Sequence, residues 1–124
     1  MSARYVVHRV NRDNYYFTLV THSGQVLLTS KVYTDKDRAV RATNSARYLA
    51  RQTENYQIFT EEDGGCYFLL GNARTGNLAK SEHFPDRESL QHAIHLVKRN
   101  TNGARLEDTT VPPPPRQVRK KKKA

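Results

Sequence analysis

Hydrophobic and polar positions along the chain fall into two successive patterns of the same kind. Tyr5–Val10 is rich in β-branched residues and reads as a strand. Asn11–Asn14 is turn chemistry, and Tyr15–Val20 is a second strand with Phe17 and Leu19 on one face and Tyr16 and Thr18 on the other. A turn at His22-Ser-Gly24 leads to a third strand over Gln25–Ser30. The pattern then changes period: Ala39, Ala42, Thr43, Ala46 and Leu49 form one stripe of a helix, with Asp35 or Thr34 as its N-cap. Strands are predicted again over Tyr56–Thr60, Cys66–Gly71 and Asn77–Glu82, with Glu61–Gly65 as a glycine-containing hairpin loop. A second helix, capped by Asp86, carries Leu90, Ala93, Ile94 and Val97 at i, i+3, i+4, i+7. Lys98 and Arg99 suit its C-terminal end, Asn102-Gly103 stops it, and Ala104–Glu107 reads as a last short strand. The first helix has the smaller stripe, so it is expected to sit closer to the sheet and to bury less.

The two patterns superimpose at a spacing of 51 residues. Tyr5 falls on Tyr56, Tyr16-Phe17 on Tyr67-Phe68, Ser30 on Ser81, Tyr33 on Phe84, Asp35 on Asp86 and Ala42 on Ala93. Gly24 and Gly76 miss by one residue, as a small insertion in a turn region allows. The sequence therefore reads as a tandem repeat, residues 1–54 and 55–108. Each unit is too small to bury a comfortable core alone, so the two are expected to share one. The predicted fold is α+β: two β-β-β-α(-β) repeats forming one antiparallel sheet with two helices on one face, related by a pseudo-twofold. Residues 109–124 read as an exposed, disordered extension, because Pro112–Pro115 cannot donate backbone hydrogen bonds and the residues beyond have little to bury.

Charge changes this picture less than its total suggests. The formal net charge is +9, but six of the 21 Lys and Arg residues lie in the tail, as Arg116, Arg119 and Lys120–Lys123. The remaining fifteen face 12 acids, so the folded part is near neutral and the pI is a property of the tail. Apolar runs such as Tyr15–Leu19 are too short to span a bilayer, and Met-Ser-Ala-Arg-Tyr carries no apolar signal core. Cytoplasm is the expected compartment, which the single cysteine, Cys66, also fits.

The pattern aromatic-Tyr-Phe-x-Leu, glycine turn, strand ending in Ser, aromatic, capped helix resembles the YegP-like family of small bacterial and archaeal proteins. It appears as Tyr15–Leu19, Gly24, Ser30, Tyr33 and Asp35, and again as Cys66–Leu70, Gly76, Ser81, Phe84 and Asp86. The resemblance covers residues 4–108. It implies a β-β-β-α-β motif whose two copies build a single sheet and exchange C-terminal strands, here within one chain. It implies no catalytic residue, since the family's domain has no assigned function.

Candidate chemistry is sparse. His92 and His95 share a helix face, with His83 and Cys66 the nearest further ligands, but two exposed imidazoles beside a core stripe explain them as well. Cys66 takes the place of Tyr15 in the first unit, a structural strand position with no partner to activate a thiol. The glycine turns join strand to strand, whereas a phosphate cradle joins strand to helix. Tyr15, Tyr16 and Tyr67 are expected on the uncovered sheet face, where aromatics stack either on bases or on each other. The tail is the sharpest feature: its cations attract polyanions, and the prolines hold them away from the domain. We therefore expect a non-enzymatic accessory protein, without cofactor, metal or membrane association. It would be a monomer with an internal pseudo-dimer, contacting RNA, DNA or the ribosome through Arg116, Arg119, Lys120, Lys121, Lys122 and Lys123. The alternative is a protein-protein module that uses the sheet edge or face.

Overall fold

A computed structural model describes residues 3–110. Three strands, β1 (Arg4–Asn11), β2 (Asn14–Val20) and β3 (Val26–Ser30), precede helix α1 (Lys36–Leu49). A single 3₁₀ turn, Thr53–Asn55, leads into β4 (Tyr56–Thr60), β5 (Cys66–Asn72) and β6 (Gly76–Lys80). Helix α2 (Arg87–Thr101) and β7 (Arg105–Asp108) complete the order. The seven strands form one sheet in the order β4-β5-β6-β3-β2-β1-β7, so β3 and β6 meet at its centre. The fold is thus mixed α+β, one sheet and two helices.

The sheet departs from the expected all-antiparallel pattern at one edge. β7 runs parallel to β1, with Arg4 opposite Arg105 and Val7 opposite Asp108. The chain has to pass from β6 at the centre to the far edge before it can pair again, and α2 carries it there, so that β7 enters beside β1 in the same direction. The expected start of the tail at 109 also falls too early. Thr109 donates from its N–H to the carbonyl of Val7 at 3.1 Å, so order continues at least to the last described residue.

Alternate strand residues face the helices. Tyr5, Val7, Phe17, Leu19 and Leu28 join Tyr56, Phe68 and Leu70 in one cluster, together with Ala39 and Ala46 of α1 and Leu90 and Val97 of α2. Tyr5 meets Phe17 edge-on at 5.8 Å between ring centroids, and Tyr56 meets Phe68 at 5.2 Å. Each fully buried large apolar side chain stabilises the fold by about 1.5–3 kcal/mol. The small stripe of α1 includes Thr43, whose hydroxyl is turned back on the Val40 carbonyl at 2.6 Å. A β-branched polar residue is thereby buried without an orphaned group.

Both helices start as the sequence predicts. The Asp35 carboxylate accepts the Asp37 N–H at 2.7 Å, and that of Asp86 accepts the Ser89 N–H at 2.8 Å. The two matched serines also have a mechanical role. Ser30 Oγ accepts the Phe17 N–H at 2.8 Å and donates to the Lys31 carbonyl. Ser81 Oγ accepts the Phe68 N–H at 2.9 Å and donates to the Glu82 carbonyl. Each side chain completes the ladder where its strand bends away. One glycine is demanded by a close approach: a Cβ on Gly71 would lie 2.0 Å from the Gly76 carbonyl oxygen, across the bulged β5–β6 pair. Among the described residues no helix is long and apolar enough to cross a membrane.

Candidate functional site

The cations singled out in the sequence, Arg116, Arg119 and Lys120–Lys123, lie outside the described residues. His92 and His95 are on α2, and among the described residues no three His, Cys, Asp or Glu side chains are grouped to hold a metal ion. Cys66 is buried, with its thiol donating to the Asp86 carbonyl at 3.3 Å.

The aromatic residues divide. Tyr15 packs against the core, on the Phe17 side of β2, and does not belong to the uncovered face; two residues apart in a strand, the two side chains must share a side. Tyr16 and Tyr67 do face away from the helices. Tyr16 stacks on His8 at 4.6 Å, and Tyr67 stacks on Phe59 at 5.2 Å and lies 4.8 Å from His83. Lys80 sits 4.5 Å over Tyr67. These rings satisfy one another across strands. His8 bonds Thr18 Oγ1 at 2.9 Å, and its partial burial lowers its pKa, Glu107 opposing.

A concave site lies instead on the other side of the centre, between the first half of α1 and the β5–β6 turn. The cleft has a volume of about 640 Å³, and its lining includes Lys31, Tyr33, Arg38, Arg41, Ser45 and Thr75. Its construction is local. Lys31 follows the end of β3. Arg38 and Arg41, three apart, project from one flank of α1. Tyr33 is clamped to Tyr15 by a reciprocal pair of backbone hydrogen bonds of 2.7 and 2.8 Å. Its hydroxyl oxygen is buried and has no hydrogen-bond partner among the described residues, and burial raises its pKa. Lys31, Arg38 and Arg41 make no ion pair among the described residues. The lining therefore combines three cations with hydroxyl groups and contains no carboxylate, histidine or cysteine. It is suited to hold an anion.

The same place beside α2 is built alike and lined differently. A cleft of about 510 Å³ is lined by Phe84, Asp86, Glu88, Ser89, His92 and Leu96, among others. Phe84 is clamped to Cys66 by hydrogen bonds of 2.7 and 2.9 Å, as Tyr33 is to Tyr15. At the 51-residue spacing Tyr33 becomes Phe84, Arg38 becomes Ser89, Arg41 becomes His92 and Ser45 becomes Leu96. Bonds from the N–H and hydroxyl of Ser89 hold the exposed Asp86 carboxyl below the usual range. The cationic cleft was missed in the sequence, although a signal existed: two arginines three apart on a capped helix, absent from the matching positions of the second helix.

The proteins that this chain is similar to carry no assigned function. A domain described as of unknown function, DUF1508, matches residues 11–57. A UPF0339 protein of Bordetella pertussis is 30% identical over 106 residues, which cover 86% of this chain and 96% of that one. The UPF0339 protein YegP of Escherichia coli K12 is 27% identical over 110 residues, covering 89% of this chain and 100% of that one. Among solved structures, the solution structure of E. coli YegP, described as a protein of unknown function, matches with a TM-score of 0.80 at 27% identity. It covers 88% of this chain and 94% of that one. The solution structure of a UPF0339 protein from Shewanella oneidensis has the same fold, with a TM-score of 0.79 at 24% identity over 87% of this chain and 92% of that one.

Proposed function

The chain belongs to the UPF0339 family, and we propose that it is a non-enzymatic binding protein that contacts the phosphate backbone of RNA or DNA through the cleft beside α1 and through its basic tail. The observation that carries this reading is the convergence of Lys31, Arg38 and Arg41 on one concave surface without neutralising ion pairs among the described residues. Cations so placed release condensed counterions when they meet phosphate. The Arg116–Lys123 segment adds six more charges. Base-edge recognition is not part of the reading, because the rings on the uncovered sheet face already stack on each other.

The reading also treats the chain as two tandem copies, residues 1–54 and 55–108, about a pseudo-twofold between β3 and β6. Its support is the recurrence of Ser30 with Ser81, Tyr5–Phe17 with Tyr56–Phe68, and Asp35 with Asp86 in the same roles. Against that shared frame, the charge of the first cleft is not a by-product of the fold, since Arg38 and Arg41 stand opposite Ser89 and His92 in the second.

The test is retention of a mixed-sequence oligonucleotide, single-stranded and duplex, over a salt series. Replacing Arg38 and Arg41 by their counterparts, Arg38→Ser with Arg41→His, is expected to lower the slope of log K against log salt by about 1.4 to 1.8 units, some 0.7 to 0.9 per lost phosphate contact. Deletion of residues 112–124 is expected to lower it further and additively. Absence of binding by the full chain at low salt, or a double variant with an unchanged slope, overturns the proposal for the cleft.

A further inference from the structure

The two edges of the sheet are built on different rules. β7 has four residues, three of them charged: Arg105, Glu107 and Asp108. Short length and charge are what natural edges use to discourage pairing with other chains. β4 has neither. Its five residues, Tyr56-Gln-Ile-Phe-Thr60, carry no charge and no proline, and they pair with β5 in unbroken register. β4 thus offers a regular, β-prone strand whose outer side faces no other strand among the described residues.

The molecule itself shows how such a side is filled. β1 stands 51 residues before β4, and its outer side is covered by β7 in parallel. Arg105 donates to the Ala3 carbonyl and Thr109 to the Val7 carbonyl, each at 3.1 Å. Two ion pairs fix the register: Arg4 with Glu107 at 3.2 Å, and Lys36, at the start of α1, with Asp108. Moving each group on by 51 residues leads to the β4 edge. Val7 becomes Ile58, and Lys36 becomes Arg87 at the start of α2. Arg87 is exposed and has no ion pair among the described residues. Arg4 becomes the neutral Asn55, so only one of the two charge positions is kept. Because Val7 turns its carbonyl to β7, the same alternation turns the backbone groups of Tyr56, Ile58 and Thr60 outward.

We propose that the outer edge of β4 is a docking site for an extended segment of a protein partner, which adds as an eighth strand parallel to β4 and places an acidic side chain opposite Ile58, against Arg87. Backbone hydrogen bonds supply the attraction and the single acid sets the register, as in other strand-addition complexes. The site lies at the far edge of the sheet from β7 and is independent of the cationic cleft.

The test uses a synthetic peptide with the sequence of residues 103–110, which reproduces the occupant of the β1 edge. The full-length chain is titrated with it, and amide exchange and chemical shifts are followed by NMR. Binding is expected to slow exchange at Tyr56, Ile58 and Thr60 and to leave the β1 amides unchanged, because the tethered β7 holds that edge. Arg87→Glu in the protein, or Asp→Asn at the peptide's sixth position, is expected to weaken binding about fivefold, the size of one exposed ion pair. A peptide with Lys at that position should bind Arg87→Glu better than it binds the parent. The proposal is overturned if millimolar peptide leaves the β4 amides unchanged, if changes appear at β1 alone, or if the charge swap brings no recovery. It is overturned equally if sedimentation shows β4 already paired with a second copy, a dimer that Ile58→Pro dissociates.

Discussion

The cleft beside α1 and the cleft beside α2 occupy matching places in the two halves of the sheet, yet one is lined by Lys31, Arg38 and Arg41 and the other by Asp86, Glu88 and His92. What surrounds them does not differ in this way. The backbone clamp, the capping aspartate and the strand-end serine are the same in each half. Groups that hold the fold together thus keep identity and geometry at the 51-residue spacing, and the acids match as well, Asp35 with Asp86 and Asp37 with Glu88, while Arg38 and Arg41 of the first lining stand opposite Ser89 and His92. A second contrast follows the same line. Arg47 of α1 lies 5.1 Å over the Tyr5 ring and donates to the carbonyls of Thr101 and Ala104, closing the end of α2. Its counterpart Lys98 reaches the Thr53 hydroxyl instead. The Tyr5 hydroxyl, bonded to Thr101 Oγ1 at 2.8 Å, is buried deeply enough to push its pKa up to about 12. On the proposed reading of two copies, what matches is scaffold, and what does not match is where a specific role is to be sought.

The strongest way to break this comparison is at the core. Phe17 and Phe68 are each fully buried. Phe17→Ala and Phe68→Ala should each cost about 3–5 kcal/mol in urea unfolding, a large share of the stability of a domain this size. The two losses should agree within about 1 kcal/mol, inside the usual spread at fixed chemistry. A loss confined to one half would mean that the halves do not share one cooperative core. The serines come next. Ser30→Ala and Ser81→Ala each leave a buried N–H, of Phe17 or Phe68, without its acceptor, at a cost of about 1–3 kcal/mol. Thr in their place is expected to recover part of the loss, measured the same way.

Most of the frame was legible in the sequence for a physical reason. Period-two and period-3.6 patterns, capping aspartates and turn glycines are local signals, and Asp35, Asp86 and Gly64 act as local rules require. The parallel pairing of β7 was not legible, because it depends on where α2 delivers the chain and not on Arg105–Asp108 themselves. Tyr15 sits in an aromatic run that suggests the open face, yet its alternation with Phe17 puts it on the core side. The cationic cleft needed tertiary information: Lys31 and Thr75 are far apart in sequence, and only the meeting of β3 with β6 brings their segments together.

A smaller effect sharpens the contrast between Tyr33 and Phe84. The Tyr33 hydroxyl is buried without a partner among the described residues, and a buried unmade hydrogen bond costs about 1–3 kcal/mol. Tyr33→Phe, which copies the second half, is therefore expected to leave stability unchanged or to raise it by up to about 1 kcal/mol in urea unfolding. In oligonucleotide titrations it should weaken binding by about fivefold at most, the worth of one hydrogen bond. A variant that loses stability would show that the hydroxyl serves the fold and not the cleft.

The smallest expected effect separates the two edges by pH. Asp108 is partly buried, which works against its charge, but the Lys36 ammonium and the hydroxyl and N–H of Thr110 hold its carboxyl below the ordinary value of 3.8. A carboxyl depressed in the folded state stabilises that state above its unfolded pKa, and the contribution is lost as pH falls through the folded value. The Lys36–Asp108 pair anchors β7 to the start of α1. Acidification below the ordinary carboxylate range should therefore loosen β7 first, seen as faster amide exchange at Arg105 and Thr109, whose N–H groups are bonded to β1. The β4 edge has no such anchor among the described residues, and the exchange of its outward amides should follow only the intrinsic pH dependence. Asp108→Asn should place β7 in the loosened condition at neutral pH and remove its acid response while leaving β4 as it was. If that variant held β7 as firmly as the parent does, the backbone ladder and the Arg4–Glu107 pair would secure the edge without Asp108, and the charge at Arg87 would lose its meaning as the trace of a second seat.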